Sequence, residues 1–246
     1  MQPTFQSRFQ PRPTPGRRSI LRACVAACTL LGLPALTPAE AAEEKQPANG
    51  SVSYLEPIPG QMGDLAVELL DHIEARPGQV LALIEVAPTT ECLLLEAADT
   101  PSAWKRAGQS SEAKQFVGDV NDLLVVPLLR RGAVVPSGLP DLEAAGDDAV
   151  LSVTHVDVMP QHVDDAKDPI QALLEAYRSA DQAAVATHAW TEAATPNHTT
   201  LLVVWSSLEA AQQADANTGV RKARRSLSPM LGSPFNRRIF RTLAAD

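Results

Sequence analysis

An internal duplication constrains this chain more than any other feature of the sequence. Residues 149–243 follow the order strand, helix, two strands, helix and strand, and residues 51–136 follow the same order more loosely. A strand that ends at Met159-Pro160-Gln161 in the second copy has its counterpart at Ile58-Pro59-Gly60 in the first. One unit of this size leaves a face of its sheet uncovered, so two units on one chain can cover each other.

In the first copy, short β-rich runs alternate with apolar stripes at helical spacing. Pro88-Thr89-Thr90 separates two runs and predicts a hairpin, whereas Thr100-Pro101 is typical of a helix start. The predicted strands cover residues 51–55, 80–86, 92–97 and 133–135.

In the second copy, the apolar stripe from Val163 to Tyr177 predicts a helix. A second helix is expected from Ser206, which fits a capping box with Glu209, to about Leu227. The strand Leu201–Trp205 is apolar at every position, which predicts that both of its faces are buried. The predicted strands are 150–158, 184–193, 199–205 and 235–243.

The predicted fold class is therefore α+β, with two ferredoxin-like (split βαβ) modules. The predicted divisions are a leader over 42–50, a first domain over 51–136, a linker over 137–148 and a second domain over 149–246. The two sheets are expected to pack face to face or to join edge to edge within the chain.

The second copy resembles the antibiotic biosynthesis monooxygenase family. The resemblance lies in Val153–Pro160, the strand ending in Trp205, the alanine-rich helix after it, and Leu231–Phe235 before the last strand. It implies a dimeric α+β barrel, formed here inside one chain as a monomeric pseudo-dimer, with a diverged first copy. It also implies cofactor-independent oxygenation of a phenolic or quinol-like small molecule.

A haem-degrading branch of that family uses an Asn on the first strand and a Trp and a His on the second helix. The matching positions hold Thr154, about Ala214 and about Arg224 in the second copy, and Ser53, about Trp104 and about Lys114 in the first. Neither copy carries the set, so haem degradation is not expected.

Six residues of the second copy form the predicted site. An oxygenase without a cofactor needs a polar group that removes or shares a phenolic proton beside aromatic walls. His188 and His155 are the predicted catalytic residues, and the predicted substrate-binding residues are Trp190, Trp205, Tyr177 and Thr154. The alternative is that these are ordinary core residues in a non-catalytic binding or scaffold protein.

Other kinds of site are less well supported. The five histidines lack the close spacing of metal ligands, so a metal is not expected. The family resemblance implies that no cofactor is needed. A basic run, Arg221–Arg225, is joined by Arg237, Arg238 and Arg241. It is interpreted as a solvated face, with an anionic ligand site as the alternative.

Residues 1–41 have the layout of a secretory signal peptide. Five arginines precede the apolar run Ala23–Leu36, and a small-residue site predicts cleavage after Ala41. Arg17-Arg18 resembles a twin-arginine signal, and an ordinary basic region is the alternative. An uncleaved anchor and a lipoprotein-type cleavage before Cys28 also remain open. Export to the periplasm or the medium is expected, without stable membrane insertion after cleavage.

The mature chain would be strongly acidic. The chain has 21 basic and 29 acidic residues, and the signal removes five arginines and one glutamate. The remaining 16 and 28 give a net charge of about −12, which argues against nucleic acid as a partner. Cys92 would be the one cysteine left, so no disulfide can form within the mature chain.

Overall fold

The structure, a computed structural model, describes residues 48–86, 91–180 and 183–243. The predicted signal and the predicted turn at 88–90 lie outside these residues. Within them the strands are β1 Gly50–Leu55, β2 Val80–Glu85, β3 Cys92–Ala97, β4 Arg131–Val134, β5 Val150–Asp157, β6 Ala186–Glu192, β7 His198–Trp205 and β8 Asn236–Thr242. The α-helices are α1 Met62–Ala75, α2 Pro101–Gln109, α3 Ser111–Asn121, α4 Lys167–Arg178, α5 Leu208–Ala214 and α6 Thr218–Leu227.

The eight strands form one closed barrel in the order β1-β3-β2-β8-β5-β7-β6-β4. All pairs are antiparallel, and each copy contributes four neighbouring strands in the split βαβ order. The copies join along two seams, β2 with β8 and β4 with β6. The predicted fold is confirmed. Of the two expected arrangements of the sheets, face to face or edge to edge, the structure has the second, which closes both sheets into one barrel.

Side chains alternate between an inner face, toward the barrel interior, and an outer face, which the helices cover. The inner face of both copies forms one apolar core that includes Leu93, Leu151, Trp190 and Phe240. Each outer face packs with its own helices in a separate core. Burial on both faces explains why Leu201–Trp205 does not alternate between apolar and polar residues.

A local sequence signal sets the start of α2. Thr100 caps α2 through its side chain, with Pro101 as the first helical residue. The predicted single helix from Ser206 to Leu227 is wrong, because α5 ends at Ala214 and Asn217 caps a new helix, α6. The cap of α5 is Ser207 rather than Ser206.

The segment between the copies closes one end of the barrel. Leu142 is buried in the inner core, and Leu139 and Ala145 pack against it. At this end the inner face of β6 begins with Ala186 and His188, and Ser137 lies 2.8 Å from the His188 ring. Residues 137–148, which have the composition of a linker, therefore also cover one end of the inner core.

None of the helices within the described ranges combines the length and apolar character needed to cross a bilayer.

Candidate functional site

The six predicted site residues lie on two faces of the sheet. Trp190 belongs to the inner core, whereas Trp205 and Tyr177 belong to the outer core of the second copy. By strand alternation His188 and His155 join Trp190 on the inner face, and Thr154 joins the outer group. The sheet separates the two groups, so the structure does not bring the histidines to the Trp205–Tyr177 pair.

On the inner face, His155 makes two side-chain contacts. Its Nε2 lies 2.6 Å from the Tyr54 hydroxyl, and its Nδ1 lies 3.2 Å from Thr200 Oγ1. Burial lowers the pKa of His155, and the positive charges of Arg131 and Arg238 lower it further. Glu192 acts in the opposite direction, but the pKa is lowered overall. The imidazole is therefore neutral, so one of its ring nitrogens donates and the other accepts in these two contacts.

Tyr54 is the inner-face partner that the sequence interpretation missed. Burial raises the pKa of Tyr54 well above its usual range, which keeps the phenol protonated. Tyr54 and His155 stand 101 positions apart and occupy equivalent places in β1 and β5. Aligning the two copies on their repeated prolines would have placed these residues opposite each other.

Two inner-face nitrogens of β6 have no hydrogen-bond partner among the described residues. They are Trp190 Nε1, on a side chain with no exposed surface, and His188 Nε2. The registers place Trp190 beside Thr200, and Thr200 beside His155. Burial lowers the pKa of His188, so this ring is neutral as well.

The duplication repeats an ion pair at both seams of the barrel. Arg238 Nε donates to Glu85 Oε1 at 2.7 Å across one seam, and Arg131 lies 3.7 Å from Glu192 across the other. Arg238 follows Arg131 by the same number of residues as Glu192 follows Glu85. Arg238 also lies 4.9 Å from the centre of the Tyr54 ring.

On the outer face of the second copy, two large aromatic residues pack edge to face. The Tyr177 and Trp205 ring centroids are 5.5 Å apart, and Trp205 Nε1 donates to Ser152 at 2.9 Å. Neither side chain has more than 1% of its surface exposed. Thr154 is buried on the same face.

Two arginines converge beside these rings. Arg224 Nη2 donates to the Tyr177 hydroxyl at 2.7 Å and to Asp215 at 2.6 Å. Arg237 lies 2.7 Å from Asp215 and 5.4 Å from the centre of the Trp205 ring. Both Nε atoms are buried without a hydrogen-bond partner in the described part of the chain. We call Arg224, Arg237, Asp215, Tyr177 and Trp205 the outer cluster.

The outer face of the first copy is different. Glu96, with no exposed surface, lies 2.7 Å from Arg76, 2.8 Å from Arg130 and 3.3 Å from His72, and it accepts from Ser51. Burial acts to raise the pKa of Glu96, but His72 and the two arginines more than offset it and lower the pKa overall. A strand glutamate inside an apolar run was the sequence signal for this group.

Across residues 48–86, 91–180 and 183–243, no three or more His, Cys, Asp or Glu side chains are grouped as a metal site would require. Burial raises the pKa of the Cys92 thiol to about 11, which removes it as a thiolate ligand or nucleophile near neutral pH.

No family model and no curated protein matches the sequence. Solved structures match the fold. A candidate monooxygenase from Fusobacterium nucleatum is 13% identical with a TM-score of 0.65, over 81% of this chain and 94% of its own. Another from Lactobacillus acidophilus is 12% identical with a TM-score of 0.60, over 81% and 95%. An anthrone oxidase-like protein is 12% identical with a TM-score of 0.54, over 82% and 96%.

Each of these single chains is covered almost completely while it spans most of this chain. The likeness therefore includes both copies. It confirms the predicted α+β barrel with tandem organisation, and at these identities it shows the fold alone.

Proposed function

We propose that this chain is a cofactor-independent monooxygenase that acts on a phenolic or quinol-like small molecule at the outer cluster. One observation carries the proposal: Arg224 donates to a phenolic oxygen, that of Tyr177, at 2.7 Å. Arg237 lies beside it, and Asp215 is the carboxylate that both guanidinium groups contact. Cationic donors beside aromatic walls are what a substrate phenolate requires.

The chemistry needs an electron-rich anion next to oxygen. Burial works against the charge of Arg224, but Tyr177 and Asp215 raise its pKa overall, so it stays cationic and stabilises a phenolate. The anion gives one electron to O₂, and the radical and superoxide combine to a peroxide anion. That anion takes up the proton released when the substrate ionised and becomes a hydroperoxide. Loss of water then converts a CH₂ group of the substrate into a carbonyl group, and both oxygen atoms are accounted for.

Oxygen uptake tests this proposal with a panel of hydroquinones and anthrones. Arg224→Gln and Arg237→Gln are expected to lower kcat/KM by about 10²-fold, the typical effect of removing one preorganised donor. Arg225→Gln is the matched control, because Arg225 is an exposed neighbour on the same helix. Equal losses in all three variants would contradict the proposal.

The same assay tests the sequence-based hypothesis that His188 or His155 is the catalytic base. Both rings face the barrel interior, so His188→Ala and His155→Ala are expected to retain uptake if the outer cluster is the site. Loss of uptake in His188→Ala, with the arginine variants active, would move the reaction to the inner face.

A non-catalytic binding protein is the second candidate. It is favoured by the complete burial of Trp205 and by the occupation of both arginines by Asp215. Ligand binding without oxygen uptake for any substrate in the panel would support this function.

We also propose that the mature protein is an exported monomer. The closed barrel leaves neither copy with an unpaired edge, which supports the monomer. Light scattering should give the mass of one chain, and N-terminal sequencing of the exported protein should begin at Ala42. A stable dimer, or an intact N-terminus, would contradict the respective part.

A further inference from the structure

The two copies place an arginine at equivalent positions, directly before the last strand of the first copy and within the last strand of the second. In the two seam ladders Ala133 pairs with Glu192 and Phe240 pairs with Glu85, so Ala133 and Phe240 are equivalent. Three residues before them stand Arg130 and Arg237. Each arginine therefore enters the outer core of its own copy from the same direction.

The carboxylate that meets this arginine differs between the copies. In the first copy Ser51 pairs with Glu96, and the equivalent Ser152 of the second copy pairs with Val203. Glu96 holds Arg130 and Arg76 from inside the core. A valine at the equivalent position gives the second copy no buried acid.

Arg237 is consequently buried without a matching internal charge. Its side chain is 8% exposed, and its Nη2 donates to the Ala211 carbonyl at 2.7 Å. Its acidic partner Asp215 is 46% exposed and also contacts Arg224. The Nε atoms of both arginines are buried donors without a partner among the described residues. Leaving a buried donor unpaired is unfavourable, so an added acceptor at these atoms would stabilise the cluster.

We infer that the outer cluster binds a small aromatic carboxylic acid. Its carboxylate accepts hydrogen bonds from Arg237 and Arg224, as Glu96 pairs with Arg130 and Arg76 in the first copy. Phe235, a partly exposed ring 5.9 Å from the Arg224 guanidinium, supplies an apolar contact for the aromatic body. This inference rests on the site of the proposed function and narrows its substrate class to hydroxylated aromatic acids.

Calorimetry under argon measures binding apart from turnover. The probe is 4-hydroxybenzoate, and the control ligand is 4-hydroxybenzyl alcohol, which keeps the phenol and lacks the carboxylate. The acid is expected to bind at least about tenfold more tightly than the alcohol, because hydrogen bonds from arginine to a charged carboxylate are stronger than those to a neutral hydroxyl. Arg237→Gln should remove most of that difference, whereas Arg225→Gln should leave it intact.

Two further variants separate a binding role from a structural one. Val203→Glu supplies the missing internal acid and is expected to abolish binding of 4-hydroxybenzoate while the thermal transition is retained. Asp215→Asn removes the competing carboxylate and is expected to tighten binding about tenfold. A purely structural cluster would not gain affinity on losing an ion pair.

The inference is overturned if the acid and the alcohol bind equally, if Val203→Glu binds as the wild type does, or if neither the wild type nor Asp215→Asn binds the acid. Binding of the acid without oxygen uptake would retain the carboxylate site and remove the monooxygenase proposal. Uptake of quinols without acid binding would do the reverse.

Discussion

Glu96 is a carboxylate without exposed surface, held by two arginines, a histidine and a serine. Removing one partner of a buried ion pair leaves the others charged and desolvated. Glu96→Gln is therefore expected to lower the free energy of unfolding by about 3 kcal/mol at pH 7, measured by urea denaturation. Glu112→Gln, at an exposed position, is the control and should change it little.

The same residue predicts a pH dependence. The folded-state pKa of Glu96 is lowered from its ordinary 4.5, so its contribution is fully present above that value and is lost as the pH falls through the folded pKa. The stability difference between the wild type and Glu96→Gln should therefore shrink below pH 4.5. A difference that stays constant down to pH 3 would contradict the assigned role.

Tyr54 gives a second test at the residue scale. Its pKa is raised well above its usual range by burial, so it should not ionise while the protein is folded. Tyr54→Phe is expected to leave the absorbance titration at 295 nm unchanged below pH 11. It should lower the free energy of unfolding by about 1 kcal/mol, because the hydrogen bond to His155 is lost. A missing titration step in the variant would show that the phenol reaches solvent.

Among the elements, the junction of α5 and α6 positions the outer cluster. Asp215 lies just after α5, and Asn217 caps α6 by accepting from Gly219 and Val220. Arg224 is on α6, so the cap fixes the helix that carries it.

Asn217→Ala should therefore lower the free energy of unfolding by about 1 kcal/mol. It should also weaken the contact between Arg224 and Asp215. Thermal unfolding and circular dichroism measure the change, and exposed Gln213→Ala is the control. Unchanged stability in Asn217→Ala would show that α6 is held by its packing alone.

The sequence predicted single strands and helix caps better than it predicted the contacts between distant elements. Apolar runs such as Cys92–Ala97 and turn residues such as Thr100-Pro101 are local, and the strands and caps they predict are confirmed. The break at Asn217 was missed although Asp215, Asn217 and Gly219 are residue types that favour helix ends and caps. The contact between Tyr54 and His155 depends on closure of the barrel, which no single segment encodes.

Whole-molecule stability depends on the two seams, because these seams and the shared inner core join the copies. A copy separated from the other would expose the apolar inner face and two strand edges. Residues 48–136 and 149–243, expressed separately, are expected to self-associate, and mixing them should restore a soluble pair. Size-exclusion chromatography measures both effects, and two soluble monomeric fragments would contradict the expectation.

The meeting of Tyr54 and His155 across the barrel has a consequence for how such a pair can evolve. In an assembly of two identical subunits, a residue on the two-fold axis can face only its own twin, so tyrosine would meet tyrosine. Joining both halves in one polypeptide removes that restriction, since either position can mutate alone. A donor opposite an acceptor is thus a heterotypic pair that an assembly of two identical subunits cannot encode on its two-fold axis.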